Sequence, residues 1–165
     1  MSNHQKILMS APIVIKKILV PIDGSDLSFR AAEYAVHLAR TEKAEVTALN
    51  VVEDIKQGGA IGLQAKYGNV SLVDAFREVR KDSAEKWIDK IREAAYSQGI
   101  VFKGEIVDDE DVTSESGVIT EYAKKNNFDL IVIGSKGRSK LERVLMGGVT
   151  NSVVNNAKTS VLVVR

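Results

Sequence analysis

The chain contains no cysteine. That excludes disulfides, thiolate zinc sites and a cysteine nucleophile together. It also fits a reducing cytosol, so a cytoplasmic location is expected. No sign of charge dominates: 23 basic against 22 acidic residues leave a formal net charge of +1, which gives no bulk attraction to nucleic acid or anionic membrane. No apolar run is long enough to span a bilayer. The start, MSNHQKILMSAPIVIKKILVPI, is rather apolar, but Lys16 and Lys17 interrupt it and the part after them reads as a strand. A signal peptide is therefore rejected, and residues 1–14 are expected to form a flexible tail. There is no internal repeat and no sign of a second domain. The two histidines, His4 in the tail and His37 in a helical stretch, have no nucleophile partner, and no Ser-His-Asp arrangement stands out.

What is present is enough for one domain. The chain has 165 residues, 44% of them hydrophobic, which suffices for a real core. Strand and helix patterns alternate along it. Ile18–Val20, Val46–Val52, Val101–Val107, Asp129–Ile133 and Ser160–Val164 read as strands. Residues 26–41 place Ala31, Ala32, Ala35, Val36, Leu38 and Ala39 at helical spacing, behind Ser25 or Asp26 as a cap. The longest helical pattern, 70–98, carries Leu72, Val73, Phe76, Val79, Trp87, Ile88, Ile91 and Ala95 on or near one stripe and stops at Gly99. Trp87 and Phe76 on it are read as core packing. Residues 114–126 turn Val118, Ile119, Tyr122 and Ala123 inward, and 148–157 form a short helix. Residues 54–69, rich in glycine, are read as a loop or lid.

This alternation predicts an α/β fold: a single-domain, doubly wound parallel sheet of five strands with helices on both faces. The runs ILV, LIVI and VLVV are apolar at consecutive positions, as in strands buried on both sides. In such a sheet ligands sit past the carboxyl ends of the strands, where the winding reverses. With the order 3-2-1-4-5, two segments meet there: Pro21-Ile22-Asp23-Gly24 and Gly134-Ser135-Lys136-Gly137.

The second segment belongs to the most informative stretch, DLIVIGSKGRSKLERVLMGGVT, residues 129–150. A buried strand empties into a glycine loop, and Gly147 and Gly148 open a helix. Glycine lets the backbone approach an anion, and the first amides of a helix have no acceptor of their own. A carboxylate such as Asp23 suits ribose hydroxyls; a glycine loop suits phosphate. Together they describe a nucleotide site. The loop is neither a Walker A motif nor GxGxxG.

The spacing Gly134-x2-Gly137-x9-Gly147 resembles the nucleotide-binding signature of the universal stress proteins of the ATP-binding type. KKILVPIDGSDLS resembles that family's first strand and turn, LNVVED its second strand end, and NNAKTSVLVVR its final strand. The likeness covers residues 15–165. It implies ATP in the crevice. Pro21, Ile22 and Val51 would line the adenine pocket, Asp23 would contact ribose or base edges, and Ile133 and Gly134 would lie against the sugar. Gly137, Gly147, Gly148, Val149 and Thr150 would wrap the phosphates. Mg²⁺ or Mn²⁺ would ride on those phosphates rather than on protein ligands. The family has Ser or Thr where this chain has Gly148; Thr150 and Ser135 are the candidates to replace the lost hydroxyl. The resemblance also implies a homodimer through strand 160–165, an edge that needs covering.

Plainer readings stand beside these. Gly134 and Gly137 also suit a tight turn with no ligand, and Asp23 also suits a helix cap. Lys136, Arg138, Lys140 and Arg143 form a basic cluster whose default is a solvated face; Lys136 and Arg138, inside the loop, are the candidates for phosphate contact. Without interleaved aromatics the cluster does not read as a nucleic-acid patch. The run Asp108–Asp111 lacks EF-hand spacing and is read as helix-dipole charge, not as a metal site. The expected function is a nucleotide-dependent dimeric switch in stress response, acting on an unnamed protein partner. With no general base evident, any ATP hydrolysis is expected to be slow. Two alternatives stay open: a dimeric interaction module without nucleotide, and a nucleotide-hydrolysing or adenylyl-transferring enzyme. ATP, AMP and cyclic nucleotides all suit a glycine-lined crevice.

Overall fold

The computed structural model describes residues 12–52, 70–108, 114–137 and 146–165. In chain order the elements are β1 (Lys17–Pro21), α1 (Asp26–Glu42), β2 (Glu45–Val52), α2 (Val70–Tyr96), β3 (Phe102–Asp108), α3 (Glu115–Lys125), β4 (Leu130–Gly134), α4 (Gly148–Asn156) and β5 (Ser160–Val164). The five strands are all parallel, in the order β3-β2-β1-β4-β5. The direction in which strands are added reverses at β1, with β2 and β3 on one side and β4 and β5 on the other, so the crevice lies at the carboxyl ends of β1 and β4.

Side-chain alternation explains the two covered faces. Ile18 and Val20 of β1 join Ala31, Ala35 and Ala39 of α1 and Ile88, Ile91 and Ala95 of α2 in one core cluster. Leu19 points the other way, with Leu49, Val51, Ile131 and Ile133, toward Val118, Ile119 and Ala123 of α3 and Val153 of α4. Both faces are dry, which is why these strands read as continuous apolar runs. Small alanines on α1 let it approach the sheet closely. At its first turn the approach is tightest: a Cβ on Gly134 would lie 2.9 Å from the backbone of Leu27.

Element ends shift from the expected ones by one or two residues. Asp129 falls just outside β4 because its carboxylate is otherwise engaged. Its Oδ2 accepts the amides of Lys16 at 2.8 Å and Lys17 at 2.9 Å, tying the starts of β1 and β4 together. The stripe expected on the longest helix holds only in part. Leu72 is 42% exposed and Val79 61%, and of side chains 71–83 only Val73 is buried. The reason is length. α2 has 27 residues, about 40 Å of helix, whereas β2 with 8 residues spans about 26 Å. Trp87 marks where the helix passes the sheet edge: it packs on Gly24, where an added Cβ would sit 2.4 Å from the indole. The part of α2 before Trp87 therefore rises beyond the carboxyl ends of the strands.

Among the described residues no helix is long and apolar enough to cross a membrane. The tail up to residue 11, the 54–69 loop, Asp109–Asp111, Arg138, Lys140 and Arg143 lie outside the described residues.

Candidate functional site

The turn after β1 is built by its own side chains. Ile22, buried, extends the β1–β2 ladder by donating its amide to the Leu49 carbonyl at 2.8 Å. Asn50 Nδ2 donates to the Ile22 carbonyl at 2.7 Å. Asp23 Oδ1 accepts from the Ser25 amide at 3.0 Å and the Ser25 hydroxyl at 2.6 Å. Ser25 in turn caps α1, its Oγ accepting the Ser28 amide at 3.2 Å. Gly24 takes φ +82° to make this turn, a conformation that glycine adopts without strain. Asp23 thus supports the cap of α1 through Oδ1. Its other oxygen, Oδ2, lies 2.7 Å from where a Cβ on Gly137 would be, so the carboxylate also faces the glycine loop across the crevice.

The loop after β4 is pinned from below. The Ser135 amide donates to the Val164 carbonyl at 2.7 Å, and the Ser135 carbonyl accepts the Gly147 amide at 2.7 Å. Thr150 Oγ1 donates to the Gly134 carbonyl at 2.7 Å. These bonds bring residues 134–137 and 147–150 side by side although nine residues part them in sequence. The hydroxyl proton of Thr150 is spent on Gly134 rather than offered to the crevice.

The helix starts differ. Ser25 caps α1 and Ser114 caps α3 with a side-chain oxygen. At α4 the capping residue is Gly147, with no side-chain cap. Nothing described lies within 4 Å of a Cβ built on Gly148. The first amides of α4 therefore start uncapped at an open position.

These pieces enclose one cleft of about 370 Å³, inside the size range of small-molecule sites, roughly 300–1,000 Å³. Pro21, Ile22, Asp23, Val51, Ile133, Gly134, Lys136, Gly137, Gly147, Gly148, Val149 and Thr150 all line it. Ser135 does not: it is buried beneath the loop it supports. Four lining residues carry polar or charged groups that pattern reading missed: Ser28, Asn50, Arg80 and Glu115. Asn50 had a signal, since a polar residue inside the buried run of β2 needs a partner. Arg80 had only the excess length of its helix. The apolar floor is Ile22, Val51, Ile119 and Ile133, all at most 5% exposed.

Residues 15–165 match the family model described as the universal stress protein family. The chain belongs to the universal stress protein family. A universal stress protein of Methanocaldococcus jannaschii is 35% identical over 159 residues, covering 96% of this chain and 87% of the relative. The solved structure of the universal stress protein UspA from Lactobacillus plantarum superposes with a TM-score of 0.72 at 31% identity, over 93% of this chain and 100% of that one. Two further solved universal stress proteins share the fold at lower identity. One is in complex with cAMP (20% identical, TM-score 0.64, 92% and 98% covered). The other, from Archaeoglobus fulgidus, is in complex with dAMP (16%, TM-score 0.59, 93% and 100%). Within this universal stress protein all three signature glycines, Gly134, Gly137 and Gly147, line the cleft, and Gly134 also makes room for α1.

Proposed function

We propose that this protein binds an adenine nucleotide in the cleft, ATP in the first instance, and acts as a cytoplasmic, dimeric, nucleotide-dependent switch in stress response. The observation that carries the reading is the uncapped start of α4 at the edge of an apolar-floored cleft. Amides without a side-chain cap among the described residues, at the positive end of a helix dipole, suit phosphate. Ile22 and Val51 offer an apolar seat for a base, and Asp23 an acceptor for ribose hydroxyls. A divalent cation, Mg²⁺ or Mn²⁺, would be held by the phosphates; among the described residues no cluster of three or more His, Asp or Glu side chains could cage one. Complexes of related folds with cAMP and dAMP lend support to the nucleotide class.

In this reading the bound and free forms present different surfaces around the cleft, and a protein partner selects one of them. The dimer would form through β5, an edge strand whose Val161, Leu162 and Val163 are only partly buried. Pairing with a second copy would cover both its apolar faces and its unpaired backbone. Light scattering after gel filtration should give twice the monomer mass, and Val163→Lys should give the monomer.

Thermal unfolding with and without ATP and Mg²⁺ tests the nucleotide reading directly. A midpoint that rises with ATP concentration is expected, since a ligand of the native state stabilises by mass action. No shift with ATP, ADP or AMP would favour the second reading, a dimeric module that works without nucleotide. Gly148 is what keeps that reading in play. Gly148→Ser places a hydroxyl in open space and should tighten ATP up to about tenfold, the worth of one neutral hydrogen bond of about 0.5–1.5 kcal/mol. Titration calorimetry on both proteins reads that ratio.

A further inference from the structure

The part of α2 that rises past the sheet edge forms one wall of the cleft, and Arg80 is the charged residue it contributes. Four charged side chains line the cleft among the described residues: Asp23, Arg80, Glu115 and Lys136. They are not scattered. Lys136 belongs to the glycine loop after β4, and Glu115 opens α3 on the same side of the sheet as α4. Arg80 comes from the helix that packs on the opposite face. Its guanidinium stands 5.8 Å from the Phe76 ring, one helical turn away. It forms no ion pair with a carboxylate among the described residues. A half-buried guanidinium on a cleft wall, backed by an aromatic ring and without a carboxylate partner among the described residues, is an anion receptor in waiting.

Resting on the nucleotide reading above, we propose that Arg80 reads the length of the phosphate chain. The amides at the start of α4 take the phosphate nearest the sugar. A second or third phosphate would extend from there along the cleft toward the α2 wall. Arg80 on the α2 wall attracts it. AMP and cyclic AMP, with a single phosphate held at the loop, gain nothing from Arg80. ADP and ATP do. Arg80 is thus a specificity-determining residue that makes this site prefer polyphosphates.

The variant Arg80→Met keeps a long side chain beside Phe76 and removes the charge together with its cation–π contact. Because Arg80 forms no ion pair among the described residues and sits on a helix segment largely open to solvent, the fold should survive; an unchanged thermal midpoint without ligand verifies this. Affinities of ATP, ADP, AMP and cyclic AMP are then measured by calorimetry for both proteins. The expected result is a loss of about 10- to 100-fold for ATP, the usual worth of a charge-assisted hydrogen bond, with AMP and cyclic AMP within twofold of wild type. The ATP affinity of wild type should also fall more steeply with salt than that of the variant. Arg80→Lys should restore part of the loss, since it returns the charge without the fork.

Equal losses for ATP and AMP would overturn the proposal and place Arg80 over the base instead. An unchanged ATP affinity would leave Arg80 a surface residue and also overturn it. If wild type binds none of the four nucleotides, the nucleotide reading falls and this inference with it. If wild type binds them all alike, only this inference falls.

Discussion

Gly134→Val should destabilise the native state by at least about 3 kcal/mol and leave little folded protein at 37 °C, whether or not nucleotide is present. The site explains the size. A Cβ at position 134 would sit 2.9 Å from both the carbonyl carbon and the oxygen of Leu27, and 3.1 Å from its Cβ. Two of these atoms are backbone, in the first turn of a helix fixed by the Asp23–Ser25 cap, so the clash cannot be relieved by a rotamer change. α1 would have to lift off β4, opening the cluster of Ala31, Ala35 and Val132. Overpacking of a core by a few atoms costs about 1–3 kcal/mol, and displacing a capped helix adds to that. Urea unfolding followed by circular dichroism measures it. A variant as stable as wild type would mean that α1 and β4 are not in this contact.

Gly137→Val should behave in the opposite way: a nearly native stability and an ATP affinity reduced at least about a hundredfold. Position 137 is exposed. The contact a Cβ would make there is with Asp23 Oδ2 at 2.7 Å, the next nearest atom being Asp23 Cγ at 3.8 Å. The far end of a side chain can move, so the fold tolerates the change. The cleft does not. Valine would push the Asp23 carboxylate away from its place opposite the loop and fill the space where phosphate approaches the backbone. Calorimetric titration of the variant against wild type, with unfolding curves for both, separates binding from stability. If Gly137→Val unfolds like Gly134→Val, the loop glycine is a packing residue; if it binds ATP like wild type, the nucleotide does not pass this point.

The pair shows what could and could not be read in one signature. All three spaced glycines were visible as a motif, and so was the crevice they border, because the expected order 3-2-1-4-5 puts β1 beside β4. That Gly134 serves α1 was not visible: nothing local tells that Leu27, over a hundred residues earlier, presses its backbone there. The role of Asp23 stayed divided between cap and ligand; Oδ1 accepts from Ser25, and Oδ2 faces the glycine loop. Leu72 and Val79 show the limit of periodicity. Their spacing matches a buried stripe, but burial needs a partner across from it, and the length of α2 carries them past the sheet. The same overshoot brought Arg80 to the cleft. Thr150 fitted a phosphate-binding hydroxyl by position, yet its proton goes to the Gly134 carbonyl, a pairing across the loop that spacing does not reveal.

The central claim is that the cleft between the β1 turn and the start of α4 holds an adenine nucleotide. Equilibrium titration of the full chain with ATP and Mg²⁺, with Gly137→Val in parallel, tests it most directly. The account predicts saturable binding at one site per chain, competed by AMP and lost in the variant. Flat heats for wild type with ATP, ADP, AMP and cyclic AMP, in protein shown to be folded, would contradict it.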